Sequence, residues 1–384
     1  MDAFFASVEL AVHPEWRGRP VIVGAGPGER GVVSTCSYEA RKFGVRSAMP
    51  SRTAWKLCPH AVFVEPHMEL YKEVSDRAFE TFEKFSPFVE GVSIDEAFLD
   101  ITGTAHLFGS AAALGEALRA EVRKVCRVTC SVGIAPNRLL AKIGSEENKP
   151  DGLSVMPFDP AEIARFLAPK PVTVLWGVGR KTAETLKRFG MTTCGALQQC
   201  DGAVLERILG RAAAAALKEH AFGRADDRVY FEPGDEKSVS REHTFAVDET
   251  AREAVREKLL ALVEDVGMRF RRKERRAKTA KLKLRDASFS TISRQMRFPV
   301  PSRDDIAFRK AALALFDAAW PPEETRRTGD RAARLVGFGV ADIAGPGDEP
   351  AVGDLFGDMP DADREKREKL SAALDALREK GLLG

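Results

Sequence analysis

Ser93-Ile94-Asp95-Glu96-Ala97-Phe98-Leu99-Asp100 is the stretch on which the fold turns. Val89 and Val92 precede the two acids, and Phe98, Leu99 and Ile101 follow them, so the segment reads as strand, tight bend, strand. Neighbouring side chains on a straight strand point to opposite faces. Asp95 and Glu96 converge on one spot only where the backbone bends at them. Clustered carboxylates repel near neutrality unless a cation lies between them. Magnesium suits a small number of hard oxygen ligands, keeps several waters and shares itself with substrate phosphates. That points to two-metal phosphoryl transfer, with ions about 3.5–4 Å apart. By itself the dipeptide also reads as an exposed turn with solvated acids, the commoner outcome for a short motif.

At 384 residues the chain is too long for one ordinary core, and two to four domains are expected. A hydrophobic content of 44% is that of a globular protein, and the net charge of +2 marks no obvious polyanion binder as a whole. Cysteines 36, 58, 126, 130, 194 and 200 are scattered. Cys126 and Cys130 lack a second Cys/His pair at zinc spacing, so a reduced, intracellular setting is expected over a disulfide framework. No signal peptide or long apolar run suggests export or a membrane span.

A helix is expected from Phe4 to Leu10, short strands over Pro20–Val23 and Gly31–Thr35, and helices over 69–86 and 111–126. Val128–Ile134 reads as a buried strand. Helices alternating with mostly antiparallel strands indicate an α+β core. Residues 160–225 look all-helical, and the acidic, turn-rich 226–240 reads as a linker. Residues 241–342 return to α+β, with strands near 241–247, 278–285 and 290–298, a helix at 304–319 and a strand at 333–342. Residues 343–360 are Gly-, Pro- and Asp-rich, and a last helix is expected at about 361–380.

Several other clusters seek phosphate. Tyr38 and Arg41 lie three apart, hence on one helical face, and a guanidinium grips phosphate oxygens with paired donors. Lys149 precedes the rigid turn Pro150-Asp151-Gly152. Gly177-Val178-Gly179-Arg180-Lys181 is a Gly-x-Gly turn entering a helix with cations in its first turn, which suits helix-hairpin-helix contact with a nucleic-acid backbone. A plain helix corner and a basic surface helix are the structural alternatives. Residues 269–285 hold ten Lys or Arg against one acid, Glu274. Lys281, Lys283 and Arg285 alternate, so they share one face of a strand. Like charges side by side destabilise a sheet unless a polyanion neutralises them.

Met1–Glu9, Tyr38–Pro50, Ser93–Asp100, Gly133-Ile134-Ala135 through Gly152, and Lys237–Phe245 occur in this order. On these stretches the chain resembles the Y-family translesion DNA polymerases, most nearly the bacterial DNA polymerase IV branch, over about residues 1–342. The resemblance implies an α+β, multidomain right-hand polymerase with a ferredoxin-like palm (1–10 and 66–160), small fingers (11–65) and a helix-hairpin-helix thumb (161–230). A linker (231–240), an α+β little finger (241–342) and a flexible tail with a terminal helix (343–384) complete it. It implies that Asp95 and Glu96 are the catalytic, metal-binding acids for two magnesium ions, and that Phe5 is a steric gate against the ribose 2′-hydroxyl. Phe4 would help line that pocket, and Tyr38, Arg41 and Lys149 would hold the incoming triphosphate. Gly177, Gly179, Arg180, Lys181, Lys281, Lys283 and Arg285 would contact DNA. The implied partners are primer–template DNA and deoxynucleoside triphosphates, and the implied setting is a monomer in the bacterial cytoplasm, away from membranes.

One departure stands out. In the family the first strand ends Asp-x-Asp, and Asp2 aligns with the second of those acids, so the first Asp and its strand would precede Met1. The intact pocket residues favour a start assigned too late over a truncated product, and the chain as numbered is expected to have little or no polymerase activity. In the tail, Leu355-Phe356 resembles the anchor of a sliding-clamp peptide but lacks its usual Gln. Two rivals stand beside the enzyme: a catalytically impaired, DNA-binding accessory, and a repair nuclease, which needs a separate acid cluster.

Overall fold

Residues 1–232, 234, 236–272, 275–321 and 332–344 are described by the structure, a computed structural model. The chain divides into two compact units, Met1–Pro233 and Gly234–Gly384. Among the described residues no helix is long and apolar enough to cross a membrane, and all six cysteines are free.

The first unit opens with α1 (Phe4–Val12), whose Phe4, Ala6 and Val8 are buried. β1 (Val21–Gly24), β2 (Val33–Cys36) and β3 (Val62–Val64) form a sheet of order β2-β1-β3, antiparallel on one side of β1 and parallel on the other. The short α2 (Tyr38–Lys42), N-capped by the Ser37 hydroxyl, and α3 (Ser51–Leu57) accompany it. Next come α4 (Met68–Glu83), β4 (Val89–Gly91), β5 (Ala97–Leu99), α5 (Ala111–Cys126), β6 (Val132–Ile134), α6 (Arg138–Glu147) and β7 (Leu153–Val155). Tyr71, Val74, Ala78 and Phe82 of α4 and Leu114, Leu118 and Val122 of α5 pack into one core with Phe4. This is the stripe that a 3.6-residue period demands.

Two expectations need correction. The strand expected over Val128–Ile134 is reduced to Val132–Ile134, because Thr129 and Ser131 turn their polar groups to Asp2. The strand pairs are also less uniformly antiparallel than expected, since β1–β3 and β6–β7 are parallel.

The central strands form two separate ladders, antiparallel β4–β5 and parallel β6–β7. Between them lies a cavity of about 180 Å³, lined by β5, by β6 and by Leu114, Gly115 and Leu118 of α5. Among the described residues β5 and β6 each pair on one side only. Helix α6 reaches this slot because it lies directly on β6. A Cβ at Gly133 would sit 2.1 Å from the Ala141 carbonyl oxygen, so only glycine permits that approach.

Five helices follow in the expected all-helical stretch: α7 (Pro160–Leu167), α8 (Arg180–Arg188), α9 (Cys194–Gln199), α10 (Gly202–Leu209) and α11 (Arg211–Ala221). The chain leaving them returns to β4. The Tyr230 amide donates to Glu90, Arg138 donates to both oxygens of the same carboxylate, and the Arg138 guanidinium lies 4.8 Å from the Tyr230 ring centroid.

The second unit is a four-stranded antiparallel sheet of order β10-β9-β11-β8, formed by β8 (Ser238–Glu249), β9 (Arg276–Asp286), β10 (Thr291–Ser302) and β11 (Ala333–Ala344). Helices α12 (Arg252–Arg271) and α13 (Asp305–Ala319) share its core. The four strands and α13 match the sequence reading; α12 does not appear in it. Its signal is Val255, Leu259, Val263, Val266 and Phe270, all buried at three- and four-residue steps. The final helix and Leu355-Phe356 lie outside the described residues.

Candidate active site

The backbone does bend at the acid pair. The Val92 and Ser93 amides both donate to the Glu96 carbonyl, at 2.9 and 3.2 Å, closing a tight turn between β4 and β5. Both Asp95 and Glu96 thereby line the wall of the slot. The Ser93 hydroxyl donates to the Asp95 carboxylate at 2.7 Å and accepts from the Asp95 amide at 3.2 Å. From behind, the Ser75 hydroxyl of α4 donates to the Ile94 carbonyl at 2.6 Å.

Helix α6 supplies the counter-charge. Lys142 donates to Glu96 at 2.5 Å and to Glu146 at 3.1 Å, while Lys149 donates to Glu146 at 2.6 Å. Lys142, Glu146 and Lys149 follow steps of four and three, hence one helical ridge continued into the turn. Burial works against the charge of Lys142, but its hydrogen bond to Glu96, and then Glu146, outweighs burial and raises its pKa. Burial likewise opposes the charge of Glu146, yet Lys149 and then Lys142 hold its carboxyl below the ordinary value. Both Lys142 and Lys149 line the slot with the acids.

The Phe5 ring, half-buried, stacks on Tyr71 with centroids 4.3 Å apart and planes 12° from parallel. Phe4, expected to line the pocket, is instead a core ring at 3% exposure, 5.7 Å from Phe5. The first turn of α1 sends these neighbours in different directions. Arg41 lies over the Tyr38 ring at 4.7 Å, so the expected pairing of phenol and guanidinium is present. The Tyr38 hydroxyl is buried without a hydrogen-bond partner. Burial raises its pKa, with the negative charges of Asp2 and Glu146 adding to the rise and the Arg41 guanidinium opposing it.

Asp2 is committed elsewhere. It is 1% exposed, and its carboxylate accepts from Ser131 at 2.7 Å, from the Asp151 amide at 2.8 Å and from Thr129 at 2.9 Å. A carboxylate so engaged ties the start of the chain to β6 and to the turn after α6, and it does not face the slot as a spare ligand. Asp2→Ala strands buried donors, and we expect it to cost about 3 kcal/mol, read as a lowered midpoint in urea unfolding. Among the described residues no three His, Cys, Asp or Glu side chains converge as a metal cluster, so the separate acid cluster that a nuclease requires is missing there too.

The two outlying phosphate-seeking clusters are as exposed as expected, with one amendment each. Gly177 has φ +85°, the left-handed conformation, and Gly179 caps α8 without a side-chain hydrogen bond, leaving first-turn amides open. Lys181 is exposed, but Arg180 is tied to Glu184 at 2.9 Å. On β9, Lys281, Lys283 and Arg285 do share the face away from the core. Lys283, however, pairs with Glu242 at 2.8 Å, so part of that charge is neutralised internally. The pairing spans a whole strand, because Gly337 of β11 sits opposite both residues and has no side chain to block it. Arg285 donates to Thr291.

Comparison with known proteins accounts for this arrangement. Residues 1–146 match the impB/mucB/samB family, residues 160–191 its HHH motif and residues 236–353 its C-terminal domain. A DNA polymerase IV of Dehalococcoides mccartyi is 37% identical over 380 residues, 99% of this chain and 93% of that relative. The chain belongs to the Y-family DNA polymerases. A DNA polymerase IV of Streptomyces coelicolor is 40% identical over 368 residues, 95% of this chain and 74% of that relative. Among solved structures, a Y-family DNA polymerase chimera superposes with a TM-score of 0.78 at 26% identity, covering 89% of this chain and 97% of its own. DinB from Sulfolobus solfataricus gives 0.58 over 88% of this chain and 96% of its own. The right-hand α+β polymerase architecture and DNA-directed DNA polymerase activity follow from this membership, as does dependence on a metal.

Sequence reading missed four residues around this polymerase site: Lys142, Ser93, Tyr71 and Ser75. Lys142 was visible in the ridge it forms with Glu146 and Lys149. Tyr71 is one of several buried apolar positions of α4, and nothing local marks a core ring that backs a functional one.

Proposed function

We propose that this polymerase inserts deoxynucleotides opposite damaged template bases, by attack of a primer 3′-hydroxyl on the α-phosphate of a deoxynucleoside triphosphate held against primer–template DNA. The observation that carries this reading is the shared wall of one cavity formed by Asp95, Glu96, Lys142 and Lys149. Residues 1–10 and 66–160 serve as palm, 11–65 as fingers, 161–230 as thumb and 241–342 as little finger. Lys149, Arg41 and Tyr38 hold the triphosphate, and Gly177, Gly179, Arg180, Lys181, Lys281, Lys283 and Arg285 hold DNA. We assign Leu355 and Phe356 to a sliding clamp and the enzyme to the bacterial cytoplasm.

Two carboxylates on one wall fit a magnesium ion that completes its shell with water and backbone carbonyls. Asp95 and Glu96 would hold it. Magnesium, when bound, supplies charge neutralisation on the phosphates and lowers the pKa of the primer hydroxyl. The second of the two expected ions needs a further acid, and Asp2 is not free to provide it.

Phe5 excludes a ribose by clash, which discriminates by about 1–3 kcal/mol or more. In single-turnover primer extension, Phe5→Ala should lower the deoxy-to-ribonucleotide preference at least tenfold while primer–template affinity stays within twofold. Insertion opposite an abasic site should fall no more than about tenfold below insertion opposite an intact base. A block of a thousandfold at the abasic site would defeat the translesion reading.

A further inference from the structure

Helix α4 carries two contacts, one turn apart, to two different parts of the site. Tyr71, fully buried, stacks beneath the Phe5 ring. Ser75, 5% exposed, donates to the carbonyl of Ile94, the residue immediately before the acid pair. Residues four apart on a helix lie on one face, separated by about 6 Å along the axis. The upper contact is itself held. The Tyr71 hydroxyl donates at 2.5 Å to Glu9, which is 0% exposed and also receives the His67 ring at 2.8 Å. Glu9 lies on α1 four residues after Phe5, so its carboxylate and the Phe5 ring grip Tyr71 from the same helix. Burial, and then the Glu9 hydrogen bond, push the Tyr71 phenol well above its ordinary value, so it stays a donor across the working pH range.

We propose that α4 is the spacer that registers the gate ring against the acid turn, with Tyr71, clamped by Glu9, positioning Phe5, and Ser75 positioning Asp95 and Glu96. The proposal rests on the reading of Phe5 as gate and of the acid pair as metal ligands. It goes beyond that reading in making sugar selection and metal binding separable through one helix. Neither Tyr71 nor Ser75 touches the substrate in this scheme; each acts through a neighbour. A purely structural role would move both properties together, through general loosening of the core.

The test uses the full chain on a dideoxy-terminated primer–template, so that binding is read without turnover. The ratio of dATP to ATP affinity is measured in calcium, and manganese affinity is measured by electron paramagnetic resonance. Tyr71→Phe keeps the stacked ring but removes the clamp, and should lower the dATP preference about threefold with manganese affinity within twofold. Ser75→Ala should weaken manganese about threefold with the dATP preference within twofold, and Ser75→Thr, which keeps a hydroxyl, should restore it. If Tyr71→Phe does not fold, Glu9→Met carries the same arm, since it removes the acceptor and leaves both rings. In a Phe5→Ala background the Tyr71 change should have no further effect on the preference. Equal shifts of both readouts in each variant, or no shift in either, would overturn the spacer. The parent reading fails separately, and visibly, if Phe5→Ala leaves the dATP preference unchanged or Asp95→Asn leaves manganese binding unchanged.

Discussion

A chain extended ahead of Met1 by about six residues of apolar strand ending in Asp should extend primers at least a hundredfold faster than the 384-residue chain. The slot between the half-sheets gives the reason. Its walls are two strands, β5 and β6, that among the described residues each pair on one side only, and its lining is apolar at Leu114 and Leu118 of α5. Backbone edges facing each other across such a gap are best satisfied by a strand between them. The first two residues already show how one would enter. The Met1 nitrogen donates to the Asp95 carbonyl at 2.5 Å, on the β5 side, and the Asp2 amide donates to the Thr129 carbonyl at 2.9 Å, on the β6 side. Successive amides pointing to opposite neighbours are the pattern of a central strand. A residue placed just before Met1 is joined to one whose nitrogen already bonds the Asp95 carbonyl, which puts it within reach of the acid turn. A third carboxylate there supplies electrostatic stabilisation of several kcal/mol, and each 1.36 kcal/mol is a factor of ten. An extension ending in Asn fills the same slot without the charge. It should recover thermal stability but less than a tenth of the rate. Equal rates for the Asp and Asn extensions, or for the extended and unextended chains, would remove the third acid from the account and favour the accessory reading.

The sequence made some of this legible and hid the rest for physical reasons. The bend at Asp95-Glu96 was readable because adjacent acids cannot share a face of a straight strand, and the turn hydrogen bonds to Glu96 bear this out. Helix α5 was readable to the residue because Ser110 caps it and its apolar stripe is regular. Helix α12 was hidden by composition, since a stretch dense in Arg, Glu and Lys obscures five apolar positions on a 20-residue helix. Thr129 and Ser131 looked like strand residues, and only the tertiary partner Asp2 shows why they are not. The cationic stripe of β9 was readable as a stripe. That Glu242 neutralises Lys283 across Gly337 depends on strand order, β9-β11-β8, which no local pattern encodes. The clamp of Glu9 on Tyr71 spans 62 positions and is invisible for the same reason.

Asp95→Asn should lower single-turnover primer extension by about a thousandfold, and Glu96→Gln by ten- to a hundredfold. The two acids are adjacent in sequence but differently engaged. The Asp95 carboxylate accepts from the Ser93 hydroxyl, a neutral donor that leaves its charge for a cation. Glu96 already shares its charge with the Lys142 ammonium at 2.5 Å. The pKa of Lys142 is raised, so it remains charged through the neutral and mildly alkaline range, and raising the pH does not release Glu96 from it. A cation entering the slot therefore gains more from Asp95 than from Glu96, and several kcal/mol of such stabilisation corresponds to about three decades of rate. Asn preserves the shape and the acceptor for Ser93, so the Asp95→Asn protein should melt within about 2 °C of the parent. Glu96→Gln keeps an acceptor for Lys142 but removes its counter-charge, leaving Glu146 as its remaining acidic partner in that network. The half-saturating magnesium concentration should rise more for Asp95→Asn than for Glu96→Gln. The reverse order, or equal losses at both positions, would show that Lys142 does not shield Glu96, and that its pairing across the slot gives way once the cation and the nucleotide are bound.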